Sequence, residues 1–136
     1  MSRRIMMAVA LGAAVVGNGA AALAQDGEGV FRRCQACHSL EAGQNKVGPS
    51  LNGVVGRHAG TVEGFRYSDL NHQAGELGLV WTKENIVEYL PDPQGFLESY
   101  IEANGGDPKG RTRMPRMPVQ PPQAEAVVDY IGSHGE

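Results

Sequence analysis

The sequence predicts an all-α chain in which short helices are joined by long loops. Its 136 residues include 19 glycines and 8 prolines, a content that favours many turns and little sheet. Helix start and stop signals recur along the chain, and the last apolar stretch has the three- and four-residue spacing of an amphipathic helix. The length suffices for one domain with a modest core.

The N-terminus has the pattern of a cleaved signal peptide. Two arginines precede an apolar stretch at 5–16, and small residues before Gln25 would permit cleavage after Ala24. A retained membrane anchor is the alternative, but the stretch is short for a span of about 20 residues. We therefore expect residues 1–24 to be a signal peptide and residues 25–136 to form one domain.

The first helix is predicted over about 26–37 and ends in the segment Cys34-Gln35-Ala36-Cys37-His38. A C-x-x-C-H segment is the attachment signal of c-type haem. On a helix, thiols at i and i+3 share one face and can reach the two vinyl groups of one porphyrin. The histidine at i+4 then lies beneath the ring as the proximal iron ligand. The segment predicts one haem c, bound covalently through Cys34 and Cys37 and ligated by His38.

Two other uses of the cysteine pair are weaker. A zinc site needs four ligands, and the remaining histidines, His58, His72 and His134, are scattered along the chain. A dithiol redox motif is expected within a βαβ pattern, which this sequence lacks. Haem attachment therefore remains the leading interpretation.

The second axial ligand is expected to be a methionine. Beyond residue 24 the candidates are Met114 and Met117, each followed by proline in a polar segment. Proline holds the preceding backbone extended, so a loop can present either sulfur to the iron. A His/Met pair closes both axial positions and makes the iron an electron carrier rather than a gas-binding centre. On local chemistry alone, the two methionines are nearly equal candidates for the iron ligand.

Three further helices are predicted downstream of the motif. Thr82 can cap a helix that Pro91 stops, and Asp92 can cap another that ends at Asn104. The last helix begins near Pro121. Its apolar residues share one face: Ala124, Val127, Val128 and Ile131. We expect the first and last helices to cross near Gly27, Phe31 and Tyr130, where a missing side chain permits close approach.

The chain resembles the class I c-type cytochromes, close to mitochondrial cytochrome c and its soluble alphaproteobacterial counterparts, over nearly all of residues 25–136. The segments that carry the resemblance are Gly27 with Phe31, 45–51, Gly56-Arg57, 64–69, Trp81, Tyr89-Leu90, Asp92-Pro93 and Thr112-Arg113-Met114. The resemblance implies the cytochrome c fold around one haem. It also favours Met114 as the iron ligand. A second spacing agrees, because Tyr130, sixteen positions after Met114, matches the aromatic residue that the resemblance implies in the last helix.

Further haem contacts follow from the same resemblance. The Pro49 carbonyl would steady His38, and Tyr89 would approach the Met114 sulfur. Haem propionates or ordered water would be contacted by Arg57, Tyr67, Trp81 and Thr112. Relative to the mitochondrial type, the chain has an insertion at roughly residues 97–110. The insertion bears on which partner the surface fits and on how much of the haem edge is exposed.

The charge distribution bears on partners. Loss of residues 1–24 would remove two of the twelve basic residues and leave ten against fifteen acidic ones, a net charge of −5. A chain of this charge is not expected to bind nucleic acid. Basic residues are nevertheless expected around the haem opening, where they could steer it toward an acidic partner: Arg32, Arg33, Lys46, Lys109, Arg111, Arg113 and Arg116.

Together these features predict a soluble, monomeric one-electron carrier of the periplasm, not an enzyme and not inserted in a membrane. The expected partners are redox proteins, such as membrane oxidoreductase complexes or a periplasmic dehydrogenase. The alternative is a dedicated haem subunit or acceptor of a periplasmic dehydrogenase, docked through residues 97–110. A gas sensor or small peroxidase would need an open iron position, which a methionine ligand opposes.

Overall fold

The computed structural model describes residues 19–135, with side chains from residue 26 onward. It contains five helices: α1 (Gly19–Cys34), α2 (Asp69–Glu76), α3 (Lys83–Tyr89), α4 (Pro93–Ala103) and α5 (Pro121–His134). Within this range there is no β-strand, only an isolated bridge between His58 and Val80. The all-α prediction is confirmed. Most of the predicted signal peptide, residues 1–18, lies outside the described residues.

α1 and α5 cross at the predicted place. A Cβ on Gly27 would collide with the Ala126 carbonyl oxygen and lie 3.2 Å from Cβ of Tyr130. The rings of Phe31 and Tyr130 pack with centroids 5.3 Å apart. The absent side chain at Gly27 therefore allows the two backbones to touch, as expected.

The predicted end of the first helix at residue 37 is wrong, because α1 ends at Cys34. The amides of Cys37 and His38 both donate to the Cys34 carbonyl, at 3.0 and 2.9 Å. The backbone thus closes one further turn after the helix rather than continuing it. This turn keeps both cysteines and the histidine on the same side of the chain.

The downstream helices begin at the predicted caps. Thr82 accepts from the Asn85 amide at 3.2 Å, and Asn85 Oδ1 accepts from the Thr82 amide at 2.8 Å, which completes a capping box. Asp92 caps α4 by accepting from the Gly95 amide at 3.3 Å. α5 begins at Pro121, and the four residues predicted for its apolar face are buried.

α2 is not among the helices that the sequence predicts. Ser68 caps it by accepting from the Asn71 amide at 3.3 Å. Leu70 and Ala74, four positions apart, are fully buried on its inner face. A helix of 8 residues offers only these two apolar positions, too few for a clear periodicity.

One hydrophobic core connects all five helices. α1 packs on α5, α2 packs on α4, and α3 contacts both α4 and α5. Each helix contributes buried side chains: Val30 and Phe31, Leu70 and Ala74, Ile86 and Tyr89, Leu97 and Ile101, and Val127 and Val128. Among residues 19–135, no helix has the length and apolar character needed to cross a membrane.

Candidate functional site

A largely apolar cavity of about 190 Å³ opens beside the core. It is far larger than a site for one water, which needs roughly 10–15 Å³. Nine of the ten residues predicted to contact haem line it: Cys34, Cys37, His38, Pro49, Arg57, Tyr67, Trp81, Tyr89 and Met114. The exception is Thr112, which does not line the cavity. The structure thus brings together residues from the whole length of the domain.

His38 is held by the loop that follows the motif. Its Nδ1 lies 2.7 Å from the Pro49 carbonyl oxygen. Because a carbonyl only accepts, Nδ1 must donate, and Nε2 keeps its lone pair for a metal. Burial lowers the pKa of His38, the Pro49 hydrogen bond opposing this in part, so the neutral, ligating form is favoured.

Gly48 completes the support of His38. Its amide donates to the Cys37 carbonyl at 2.8 Å, which draws the loop against the motif. A Cβ at this position would collide with Cε1 of His38 and lie 2.8 Å from its Nδ1. The backbone therefore lies directly against the imidazole ring, a contact that only glycine permits.

Cys34 and Cys37 both lie at this wall of the cavity and form no disulfide. Burial raises the pKa of the Cys34 thiol, whereas reactive thiols of redox enzymes have a lowered pKa. Within residues 26–135, no group of three or more His, Cys, Asp or Glu side chains is arranged to hold a metal ion. Neither observation favours the dithiol or zinc interpretation.

The methionine segment forms another part of the wall. Met114 and Met117 both line the cavity and are half-buried. The Met114 amide donates to Thr112 Oγ1 at 3.3 Å, and the Met117 amide donates to the Leu90 carbonyl at 2.8 Å. The segment is therefore anchored on both sides of Met114.

Trp81 and Tyr89, which also line the cavity, belong to an aromatic cluster. The rings of Trp81 and Tyr89 meet edge to face with centroids 4.8 Å apart, and Phe96 packs against both. Burial raises the pKa of Tyr89 to about 12, an effect opposed by the side chains of Thr112 and Asn71 beside its hydroxyl. The phenol therefore stays neutral and available as a hydrogen-bond donor at any physiological pH.

Comparison with known proteins identifies the family. Cytochrome c2 from Rhodopseudomonas palustris is 47% identical over 112 residues, 81% of this chain and 96% of the relative. Cytochrome c2 iso-1 from Rhodospirillum centenum is 49% identical over 109 residues, 77% and 90% of the two chains. The chain is a class I c-type cytochrome. No family model matches it.

Solved structures agree with this assignment. Ferricytochrome c2 from Rhodopseudomonas palustris superposes with a TM-score of 0.76 at 47% identity, covering 82% of this cytochrome and 97% of that chain. Cytochrome c2 from Rhodospirillum centenum gives 0.78 at 43% identity, covering 83% and 98%. The predicted cytochrome c fold is confirmed. The cytochrome is an electron carrier rather than an enzyme, with haem c as its cofactor and redox proteins as its partners. The dehydrogenase-subunit alternative is not favoured.

The residues of the cytochrome's cavity fit a haem, and Arg57 provides the test. Its Nη1 donates to the carbonyls of Ser50 and Asn52, at 3.0 and 2.9 Å. Its Nε is buried and has no hydrogen-bond partner among the described residues. An unpaired buried donor is costly. A haem propionate would supply the acceptor that this guanidinium lacks.

Tyr67 lies at the same end of the cavity. Its hydroxyl accepts from the Val62 amide at 3.1 Å, and burial raises its pKa. The hydroxyl proton remains available for a second acceptor such as a propionate.

Two residues of the site were not predicted from the sequence. Gly48 precedes Pro49 in a segment used for the resemblance, but nothing local shows that its Cα faces the imidazole. Asn71 lies on the unpredicted helix α2 and lines the cavity next to Tyr89. Recognising the Ser68 cap would have placed Asn71 on a helix, although not beside the tyrosine.

The predicted basic rim is partly neutralised. Arg33 and Arg113 line the cavity, and Arg113 also donates to the Arg66 carbonyl at 2.9 Å. Three other members form ion pairs: Arg32 with Glu28 at 3.6 Å, Lys109 with Asp107 at 3.9 Å, and Arg116 with Asp92 at 3.2 Å. The positive potential at the opening is therefore concentrated on fewer groups than the sequence suggests.

Proposed function

We propose that this cytochrome is a soluble, monomeric, periplasmic one-electron carrier that shuttles electrons between redox complexes. One haem c would be bound covalently at Cys34 and Cys37 and ligated by His38 and Met114. The supporting observation is that these four side chains line one apolar cavity. Residues 1–24 would direct export and be removed from the exported chain.

When bound, the haem supplies a one-electron Fe(III)/Fe(II) couple. The Pro49 carbonyl accepts a hydrogen bond from Nδ1–H of His38, which orients the ring and raises the basicity of Nε2. Gly48 lets the backbone press against the same ring. Together they hold the imidazole in one orientation, so oxidation and reduction need little rearrangement of the protein.

Met114 would occupy the opposite axial position. A thioether is a soft ligand that favours the ferrous state and raises the potential relative to two imidazoles. Trp81 and Tyr89 line the same apolar cavity, and this apolar lining would also disfavour the additional ferric charge. With His38 and Met114 both holding the iron, it would serve electron transfer rather than oxygen binding.

Partner docking would use the cavity mouth. Arg33 and Arg113 line it, while the chain as a whole is acidic. Such a distribution steers the opening toward an acidic patch on a redox partner. The rate of reduction by a membrane oxidoreductase should fall as ionic strength rises, because screening shortens the reach of these charges. A rate independent of salt would contradict the steering.

The visible spectrum of the purified ferric protein tests the function. We expect a red colour that survives acidified solvent, which demonstrates covalent attachment, and a far-red band from sulfur-to-iron charge transfer. The band should disappear in Met114→Ala and persist in Met117→Ala. A colourless protein, extractable porphyrin, or a band lost only in Met117→Ala would contradict the corresponding part of the proposal.

A further inference from the structure

Two glutamines tie the loop before Met114 to neighbouring helices. On α2, Gln73 accepts from the Lys109 amide at 2.9 Å and donates to the Asp107 carbonyl at 3.1 Å. On α4, Gln94 accepts from the Thr112 amide at 2.9 Å and donates to the Gly110 carbonyl at 3.3 Å. Each side-chain amide thus pairs with two backbone groups of the loop.

The orientation of the Gln94 amide is determined by Glu98, one turn along α4. Nε2 of Gln94 lies 2.6 Å from Oε1 of Glu98. A carboxylate only accepts, so the nitrogen of the amide must face it and the oxygen must face the loop. Glu98 thereby directs Oε1 of Gln94 at the Thr112 amide.

Thr112 passes this restraint on to Met114. Its backbone amide is held by Gln94, and its Oγ1 accepts from the Met114 amide at 3.3 Å. On the far side, Arg116 pairs with Asp92 at 3.2 Å, and the Met117 amide donates to the Leu90 carbonyl at 2.8 Å. Met114 therefore has tethers on both sides.

Polar tethers matter here because the loop has little apolar anchoring. Lys109, Gly110 and Arg111 are exposed. At Gly106, well before the methionine, an added Cβ would lie 2.6 Å from Cγ2 of Ile101 and 3.0 Å from Cδ1 of Leu77. Between Gly106 and Met114 the glutamine amides are the principal connection of the loop to the helices.

We propose that Gln94 is a positioning residue for Met114, holding the sulfur against the iron through Thr112. This inference rests on the proposed His38/Met114 ligation. Loss of the tether makes the methionine easier to displace without removing any group that would contact the haem. Gln73 makes the same kind of contact farther from Met114 and serves as a matched control.

Displacement of the methionine by added imidazole in the ferric holoprotein measures this effect. In Gln94→Ala the apparent affinity for imidazole should rise roughly five- to tenfold, equivalent to about 1–1.4 kcal/mol, the scale of one hydrogen bond. In Gln73→Ala it should rise less than twofold. Hydrogen exchange of the Thr112 amide should also accelerate in Gln94→Ala, a readout that does not depend on iron ligation.

A swapped pair provides the rescue. Gln94→Glu alone places two carboxylates together and should weaken the tether. Combined with Glu98→Gln, the acceptor for the Thr112 amide and the side-chain hydrogen bond are both restored, whereas the donor to the Gly110 carbonyl is lost, so the imidazole affinity should return only part of the way toward the original. A double variant that behaves like Gln94→Ala would overturn the proposal, as would equal effects of Gln94→Ala and Gln73→Ala.

The outcomes separate this inference from the proposed function. A far-red band that persists in Met114→Ala shows that Met114 is not the ligand, and the proposed ligation fails. A band lost in Met114→Ala, together with an unchanged imidazole affinity in Gln94→Ala, overturns the role of Gln94 alone.

Discussion

Replacement of Gly48 by alanine should displace the proximal histidine. The added Cβ would lie 2.8 Å from Nδ1 and 2.9 Å from Nε2 of His38 and would collide with Cε1. Non-bonded heavy atoms prefer separations of about 3.5–4.0 Å, so the ring or the loop must move by roughly 0.6–1 Å.

Neither partner can move freely. The His38 ring is bound to the Pro49 carbonyl at 2.7 Å, and the Gly48 amide is bound to the Cys37 carbonyl at 2.8 Å. Overpacking of this kind costs about 1–3 kcal/mol, offset by about 0.4–1 kcal/mol from the less flexible unfolded chain. We expect a net loss of about 1–2 kcal/mol in the free energy of unfolding, or roughly 3–10 °C in Tm.

Thermal unfolding and the reduction potential of the holoprotein provide the measurement. The control is Gly132→Ala on α5, where an added Cβ meets nothing within 4 Å and φ is not positive. Alanine should stabilise that helix by about 0.5–1 kcal/mol. A Gly48→Ala protein that melts no lower than the original and keeps its potential would refute the close contact with the imidazole.

Three other predictions concern the fold. Gly27→Ala should lower the free energy of unfolding by about 1–3 kcal/mol in chemical denaturation, because the added Cβ collides with the Ala126 carbonyl at the α1–α5 crossing. Its control is Gly29→Ala, which should be neutral or stabilising because an added Cβ there meets nothing within 4 Å. Thr82→Ala should cost about 1 kcal/mol by removing the acceptor for the Asn85 amide, and Thr82→Ser should cost less; equal losses would argue against the cap. The apoprotein should be largely unfolded, because without haem the apolar side chains that line the 190 Å³ cavity lose their packing partner and face water. A native-like near-UV circular dichroism spectrum without haem would contradict this.

The helices that were predicted are those with local signals. Thr82 and Asp92 are side-chain caps, and proline or asparagine ends the helices that follow. α5 is long enough for its apolar face to repeat over several turns. α2 has a cap but only two buried positions, so its stability comes from packing against α4 rather than from its own pattern.

The site residues also divide into those with a local sequence signal and those without one. Covalent attachment and iron ligation restrict the residue type, so Cys34, Cys37 and His38 are recognisable from spacing alone. Gly48 and Gln94 both act on backbone groups. Gly48 acts by lacking a side chain, and Gln94 acts through a side-chain amide that could pair with the backbone of many loops. Gln94 meets Thr112 across 18 positions, and a glutamine on an amphipathic helix looks like an ordinary surface residue. The support of a ligand therefore depends on tertiary packing, and it becomes visible only when the helices and loops are placed together.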